Sequence, residues 1–147
     1  MTQLFDRIET CVDKLTPDLM WARGGLNENA VGNLVLHLAG NVRQWIICGV
    51  GGAEDRRDRD SEFDAQSGEN TLTVLRAAVE EAVAVIAALP QERLQERRTI
   101  QKHYDVTMLE AIYHVVEHFS MHTGQIIFAT KLLTNEDLGF YAHLRAK

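Results

Sequence analysis

The chain has 147 residues, with 15 Lys and Arg against 21 Asp and Glu, a formal net charge of −6, and two cysteines. That length suits one domain, expected over residues 1–147, which can bury its own core without a disulfide or structural metal. With no basic run longer than Arg56-Arg57 or Arg97-Arg98, the chain lacks the footprint of nucleic-acid binding; the opening MTQLFDRIETCVDKL lacks the basic start and continuous apolar stretch of a signal peptide, and no later run of about 18 uncharged apolar residues could span a membrane, so a cytoplasmic protein is expected.

Only Pro17 and Pro90 interrupt the sequence, and apolar residues recur at helical spacing, which predicts an all-α fold. Leu4, Ile8, Cys11, Val12 and Leu15 mark a first helix from about Gln3 to Lys14. Thr16-Pro17-Asp18 offers an N-cap and a first-turn proline for a short second segment. After the turn GGLNENAVGN, Asn29 or Asn33 could cap a strongly apolar helix that runs to about Cys48 and ends at Gly49. Residues 51–69 are rich in charge and poor in apolar side chains, so they predict a long exposed crossover with Phe63 as its anchor.

The next helix runs from Thr71 to Leu89, with Leu72, Leu75, Val79, Val83 and Ile86 as its stripe, and stops before Pro90. RRTIQKHYDV is either loop or a short extended pair. Thr107 and Glu110 form a capping box that opens a main helix reaching about Leu133. Its apolar face is read as Leu109, Ile112, Val116, Phe119, Ile126, Ile127 and Leu133. The tail NEDLGFYAHLRAK adds a short fifth helix or a strap. Four principal helices with one long crossover between the second and third make a four-helix bundle. Cys11 and Cys48 read as small core residues, and His103 and His143 as surface residues.

HVVEHFSMH, residues 114–122, holds three of the chain's six histidines at i, i+4 and i+8. These rings lie along one face, in a polar strip with Glu110, Glu117 and Gln125 beside the apolar one. A solvated face usually recruits Lys, Arg and Glu, whereas this one recruits the commonest metal ligand in proteins. His114 and His122 are separated by about 12 Å along the axis, so all three cannot meet at one ion. Neighbours about 6 Å apart can, which leaves His114 with His118 or His118 with His122. There is no HExxH, so the arrangement of a metallopeptidase is absent. A further ligand must come from another helix, and NLVLHLAGNVRQW supplies His37 amid aliphatic residues, with Asn33, Asn41 and Gln44 at helical spacing. The plainer alternative for His37 is one hydrogen bond to a backbone carbonyl.

The pairing of HLAGNVRQWI with HFSMHTGQI, together with the charged connection ending in DRDSEFDA, resembles the DinB-like (YfiT-like) superfamily of metal-dependent bacterial proteins. The likeness spans about Leu4 to Leu133. It implies a four-helix bundle of up-down-down-up topology, often dimeric, with a divalent metal held by three histidines. At the matching positions these are His37, His118 and His122, with His114 as a pocket residue beside them. Thr123 departs from the family form, which often has a basic residue or a second histidine near the last ligand.

Three neutral imidazoles leave a divalent ion with its full charge and an open position, as in catalytic zinc sites. Water or a thiol at such an ion loses its proton far more readily than in bulk, so hydroxide and thiolate are the two nucleophiles to consider. The resemblance implies thiol S-transferase chemistry on a small electrophile, with a low-molecular-weight thiol as cosubstrate. Glu117 is the candidate base, against its plainer reading as an exposed helical carboxylate. A metal-dependent hydrolase and a non-catalytic metal-binding dimer are the alternatives. Zinc or nickel leads among the ions, with manganese and iron also able to accept imidazole. Because protonated imidazole cannot coordinate, metal release is expected below about pH 6.

Overall fold

The computed structural model describes residues 1–144 and is mostly helical, with one small two-stranded sheet. Helix α1, Thr2–Val12, buries Phe5, Ile8 and Cys11. Helix α2, Pro17–Met20, is capped by Thr16, whose hydroxyl accepts from the Leu19 N–H at 3.3 Å. Helix α3, Val31–Val42, is almost wholly buried and continues through Arg43–Val50 as wider, π-helical turns. Its cap is neither Asn29 nor Asn33: Ala30 takes the N-cap position, and the Asn33 side chain reaches back from the first turn to accept from the Ala30 N–H at 3.1 Å. The helix also outruns the expected stop at Gly49, because its closing bonds span five residues, as in Gly51 N–H to the Ile46 carbonyl at 2.8 Å.

The charged segment after α3 is exposed along most of its length, as its composition predicts, but it carries a short helix with one buried side chain, Glu62. Asp58 accepts from the Ser61 N–H at 3.3 Å and caps a one-and-a-half-turn helix α4, Arg59–Asp64, which packs on α3. Asn33 fastens it from the other side, donating to the carbonyls of Glu62 at 2.9 Å and Ala65 at 2.8 Å. Close approach is possible because Gly40 faces α4: a Cβ there would collide with Glu62 Oε1 and come within 2.8 Å of Arg57 Nε. Phe63, the expected anchor, is half-buried.

Helix α5, Thr71–Ala88, turns Leu75, Ala78, Val79 and Ala82 inward. Val83, expected in the stripe, is 42% exposed because the alanines let the backbone approach on a rotated face. RRTIQKHYDV resolves as an antiparallel pair, β1 Arg97–Ile100 with β2 Tyr104–Thr107, in the register Arg97↔Thr107 and Ile100↔Tyr104. Ile100 fixes this hairpin to the rest, being buried and in contact with Gly49.

Helix α6, Met108–Thr134, begins at the expected capping box: Thr107 Oγ1 accepts from Glu110 N–H at 3.1 Å while Glu110 Oε2 accepts from Thr107 N–H at 2.7 Å. Its buried seam is Met108, Ala111, Val115, Phe119, Thr123, Ile126 and Thr130. Leu109 and Val116, expected inside, are exposed. The seam is rotated toward α1, and the buried Thr123 satisfies itself locally, its Oγ1 donating to the Phe119 carbonyl at 2.7 Å. Together α1, α3, α5 and α6 enclose the core, where fully buried Leu38, Ile46, Leu75, Val115 and Phe119 meet; each such side chain contributes about 1.5–3 kcal/mol by leaving water. A short turn, Ala142–Leu144, ends the described part of the tail. The remaining expected strap residues, 145–147, lie outside the described residues.

Both cysteines are buried and free, as their reading as core residues requires. His103 and His143 are exposed.

Candidate metal centre

His37 projects from the middle of α3, and His118 and His122 from successive turns of α6. His37 Nε2 lies 3.2 Å from His118 Nε2, and His122 Nε2 lies 3.2 Å from the same atom. The ligand atoms of the three residues fall within 4.8 Å of one another, a separation suited to holding one metal ion. Two nitrogens each about 2.0–2.1 Å from a tetrahedral ion would stand about 3.3 Å apart, close to the spacing of these two pairs.

Hydrogen bonds select which nitrogen each ring presents. His122 Nδ1 meets Gln125 Oε1 at 2.6 Å; the amide oxygen only accepts, so the ring donates there and keeps its lone pair on Nε2. His37 Nδ1 lies 3.0 Å from Glu62 Oε2 and 3.1 Å from Arg57 Nη2. Arg57 has no proton to spare for it. Nε and Nη2 donate to the Glu62 carboxylate at 2.7 and 2.8 Å, the second Nη2 proton goes to the His37 carbonyl at 3.3 Å, and Nη1 goes to Gln44 Oε1 at 2.9 Å. His37 therefore donates from Nδ1 to Glu62, and its Nε2 also carries a lone pair. His118 stands between the two, and its Nδ1 is buried without a partner among the described residues. With the proton on Nδ1, three lone pairs converge on one point, an arrangement that calls for a cation and has no donor of its own.

The electrostatics favour the neutral form of His118 and His122. Burial, reinforced by His122, His37, His114 and the Arg57 charge, pulls the His118 pKa down from 6.5 to about 3. Burial lowers His122 as well, with His37 adding to the effect and the Gln125 hydrogen bond opposing it. Burial alone would raise Glu62, but hydrogen bonds and charge from Arg57 and His37 outweigh it and hold the carboxyl below its usual range. Glu62 and Arg57, both at most 10% exposed in their side chains, thus form a buried ion pair whose remaining capacity orients His37.

Beside the three rings lies a cleft of about 310 Å³, lined in part by Asn41, Trp45, Arg59, Tyr104, Val106 and His114. His37, Asn41 and Trp45 share one face of α3 and its continuation at i, i+4 and i+8. The His114 ring stacks 4.0 Å from Trp45 and 5.6 Å from His118, so it walls the cleft and stands apart from the convergent trio. Asn41 Oδ1 and Trp45 Nε1 are buried without hydrogen-bond partners among the described residues. Glu117 is exposed and outside the trio; the one trace of its charge here is an upward pull on the His114 pKa, smaller than the downward pull of burial.

Sequence reasoning brought out His37, His118, His122 and His114 but missed Glu62 and Arg57. A signal was present: Asp58 three residues before Ser61, followed by acidic Asp60 and Glu62, is the pattern of a capped helix start, and Phe63 gives that helix an inward side.

No curated protein matches the chain. Residues 1–144 match the family described as "Protein of unknown function (DUF1572)". A match over that span, covering both histidine-bearing helices and the connection that carries Glu62, makes the chain a member of that family.

Proposed function

We propose that this protein is a DinB-like four-helix bundle of up-down-down-up topology that holds a divalent metal on His37, His118 and His122 and catalyses thiol transfer to a small electrophile. The observation that carries the metal reading is the convergence of three imidazoles, two of them with Nδ1 committed to Glu62 and Gln125. Zinc or nickel suits such a donor set. When bound, a divalent ion supplies a double positive charge that lowers the pKa of a thiol or water placed beside it.

The chain's own residues do the rest. Glu62 and Gln125 hold two ring tautomers, so no ligand has to rotate or lose a proton to be ready. Arg57 neutralises Glu62 and keeps a buried carboxylate from repelling an incoming anion. The cleft between Trp45, Tyr104 and Val106 is large enough for a small molecule, and the unpartnered Asn41 Oδ1 and Trp45 Nε1 give it polar groups still to be satisfied. Arg59, its guanidinium held 4.8 Å over the Phe63 ring, adds positive charge at the rim. Neither cysteine serves as the thiol: burial pushes Cys11 and Cys48 up in pKa, which disfavours the thiolate. The thiol therefore comes from a cosubstrate.

The test is elemental analysis of untagged protein, with His37→Ala and His118→Ala beside the wild type. The expected result is near-stoichiometric metal in the wild type and little in either variant, followed by metal-dependent consumption of a low-molecular-weight thiol with an alkylating electrophile. A wild type that cannot be loaded overturns the metal reading. A loaded protein that is inert toward thiols but cleaves esters or amides overturns the transferase reading alone.

A further inference from the structure

Folding leaves few buried polar atoms without a partner, so two in the wall of one cleft call for an explanation. Asn41 and Trp45, 4% and 3% exposed, line the cleft beside the three histidines. Asn41 Oδ1 and Trp45 Nε1 make no hydrogen bond among the described residues. The neighbouring polar groups are engaged elsewhere. Arg57 is committed to Glu62, Gln44 and the His37 carbonyl, and Glu110 to the capping box at the start of α6. Gln101, at the turn of the hairpin, donates its amide N–H to Gln44 at 2.7 Å. Each unpaired atom is costly to bury alone, and a ligand that satisfies both gains most from binding here.

The two atoms differ in kind, which narrows what fits them. The carboxamide oxygen only accepts and the indole N–H only donates. A carboxylate would suit the indole but turn lone pairs toward Asn41, and an ammonium would suit Asn41 but turn protons toward the indole. An amide carries both partners in one rigid plane, a carbonyl oxygen for Trp45 and an N–H for Asn41. The residues stand one turn apart on the same face, about 6 Å along the axis, a span that a two-atom group bridges more readily than a single hydroxyl. The rest of the wall sets the substituent on the amide. The Trp45 ring has His114 at 4.0 Å and Tyr104 at 5.6 Å, centroid to centroid, and Val106 lines the same cleft. These surfaces favour a flat apolar group. Tyr104 is 51% exposed, and an exposed side chain changes rotamer quickly enough to admit a ligand.

We infer that Asn41 and Trp45 are the specificity-determining residues of the cleft, and that they select a small uncharged amide with a planar apolar substituent. Its carbonyl accepts from Trp45 Nε1 and its N–H donates to Asn41 Oδ1. The amide is a handle that places the molecule beside the histidines, and it is not the bond that changes. It is carried by one of the two reactants, the thiol or the electrophile. This inference rests on the proposed function in taking the cleft as the place where the reactants meet, while the two binding contacts need no metal.

The test is titration of the full, untagged, isotope-labelled chain with acetanilide, metal-free and zinc-treated, followed through the indole N–H peaks in proton–nitrogen correlation spectra. Trp21 and Trp45 are the two tryptophans, and Trp45→Phe identifies the Trp45 peak. Acetanilide is expected to move that peak saturably in both preparations and to leave Trp21 in place. Benzyl methyl ketone keeps the carbonyl and lacks the N–H. It is expected to bind about tenfold or more weakly, because it leaves Asn41 Oδ1 unpaired. Asn41→Leu is expected to erase that preference, and the comparison in the wild type decides the matter if the variant fails to fold. A Trp45 peak that stays still, a ketone or benzyl alcohol that binds as well as acetanilide, or a preference that survives in folded Asn41→Leu would each overturn the inference. In steady-state turnover acetanilide should compete with the reactant that carries the amide, and competition with neither would also overturn it. An active enzyme with no amide preference sinks this inference alone. Amide binding by a protein that takes up no metal sinks the proposed reaction and leaves the binding site standing.

Discussion

Replacing Glu62 by alanine would leave the Arg57 guanidinium buried without its bidentate partner and free the His37 ring to turn. Breaking a buried ion pair from one side costs about 3–5 kcal/mol, and losing the group that orients a metal-ligating histidine typically lowers metal affinity 10–100-fold. Glu62→Ala should show both effects, read by urea denaturation and by competition with a chromophoric chelator. Full wild-type affinity in a folded variant would mean that Glu62 serves only the fold. His114→Ala is the contrasting case. Its ring walls the cleft against Trp45 without joining the trio, so under the proposed function the variant should keep its metal and show a changed KM for the thiol or the electrophile.

At the scale of elements, the site depends on how closely α4 lies on α3. Gly40→Ala puts a methyl group where the Glu62 carboxylate and Arg57 Nε now sit. The expectation is a protein of near-normal helicity whose metal affinity falls about 10-fold or more, with α4 more readily cleaved by protease. The start of α6 is held separately. Thr107→Ala removes one half of the capping box and should cost about 1 kcal/mol in urea denaturation, while metal content stays near the wild-type level because the ligands lie three and four turns further along. The main difference between expected and observed elements also belongs here. The charged stretch 51–69 reads as solvated because charge density is a good guide to exposure, and it fails at Glu62 because one acidic side chain found two partners inside.

For the whole molecule, the histidine cluster ties stability to pH. His118 holds its proton less tightly in the fold, at about 3, than the ordinary 6.5 it regains on unfolding. The unfolded chain therefore binds more protons below about pH 6.5, so metal-free protein should be fully stable above that value and lose stability steadily as pH falls toward 3. Glu62, lowered from 4.5, contributes in the same direction but only at the acid end, which leaves the range between about 6.5 and 4.5 to the histidines. Urea titrations of chelator-treated protein at pH 7.5, 6.5, 5.5 and 4.5 check this, and His118→Gln should show a shallower slope over that range. An equal slope would mean that the ring is protonated in the native state. The same lowering moves metal release to a lower pH than the value near 6 expected from ordinary imidazoles, since protons compete less well for rings that burial keeps neutral.

How much was legible in the sequence follows from the range of each interaction. Helical spacing, the Thr16 and Thr107 caps and the stop before Pro90 are local, and they placed α1, α2, α5 and α6 within a few residues. The i, i+4 spacing of His118 and His122 is local too, and it left His114 as an equal alternative until the resemblance favoured the other pair. His37 was noticed because a histidine among aliphatics must find a partner, but no local rule names that partner. Tertiary structure alone decided that His37 faces His118 across two helices 81 residues apart, that Glu62 returns from a charged connection to orient it, and that α6 is rotated so that Val116 and Leu109 leave the core. Backbone geometry repeats every few residues and is written in neighbours. Which faces meet is a property of the packed whole, settled only when every buried charge has found its counterpart and every buried surface its match.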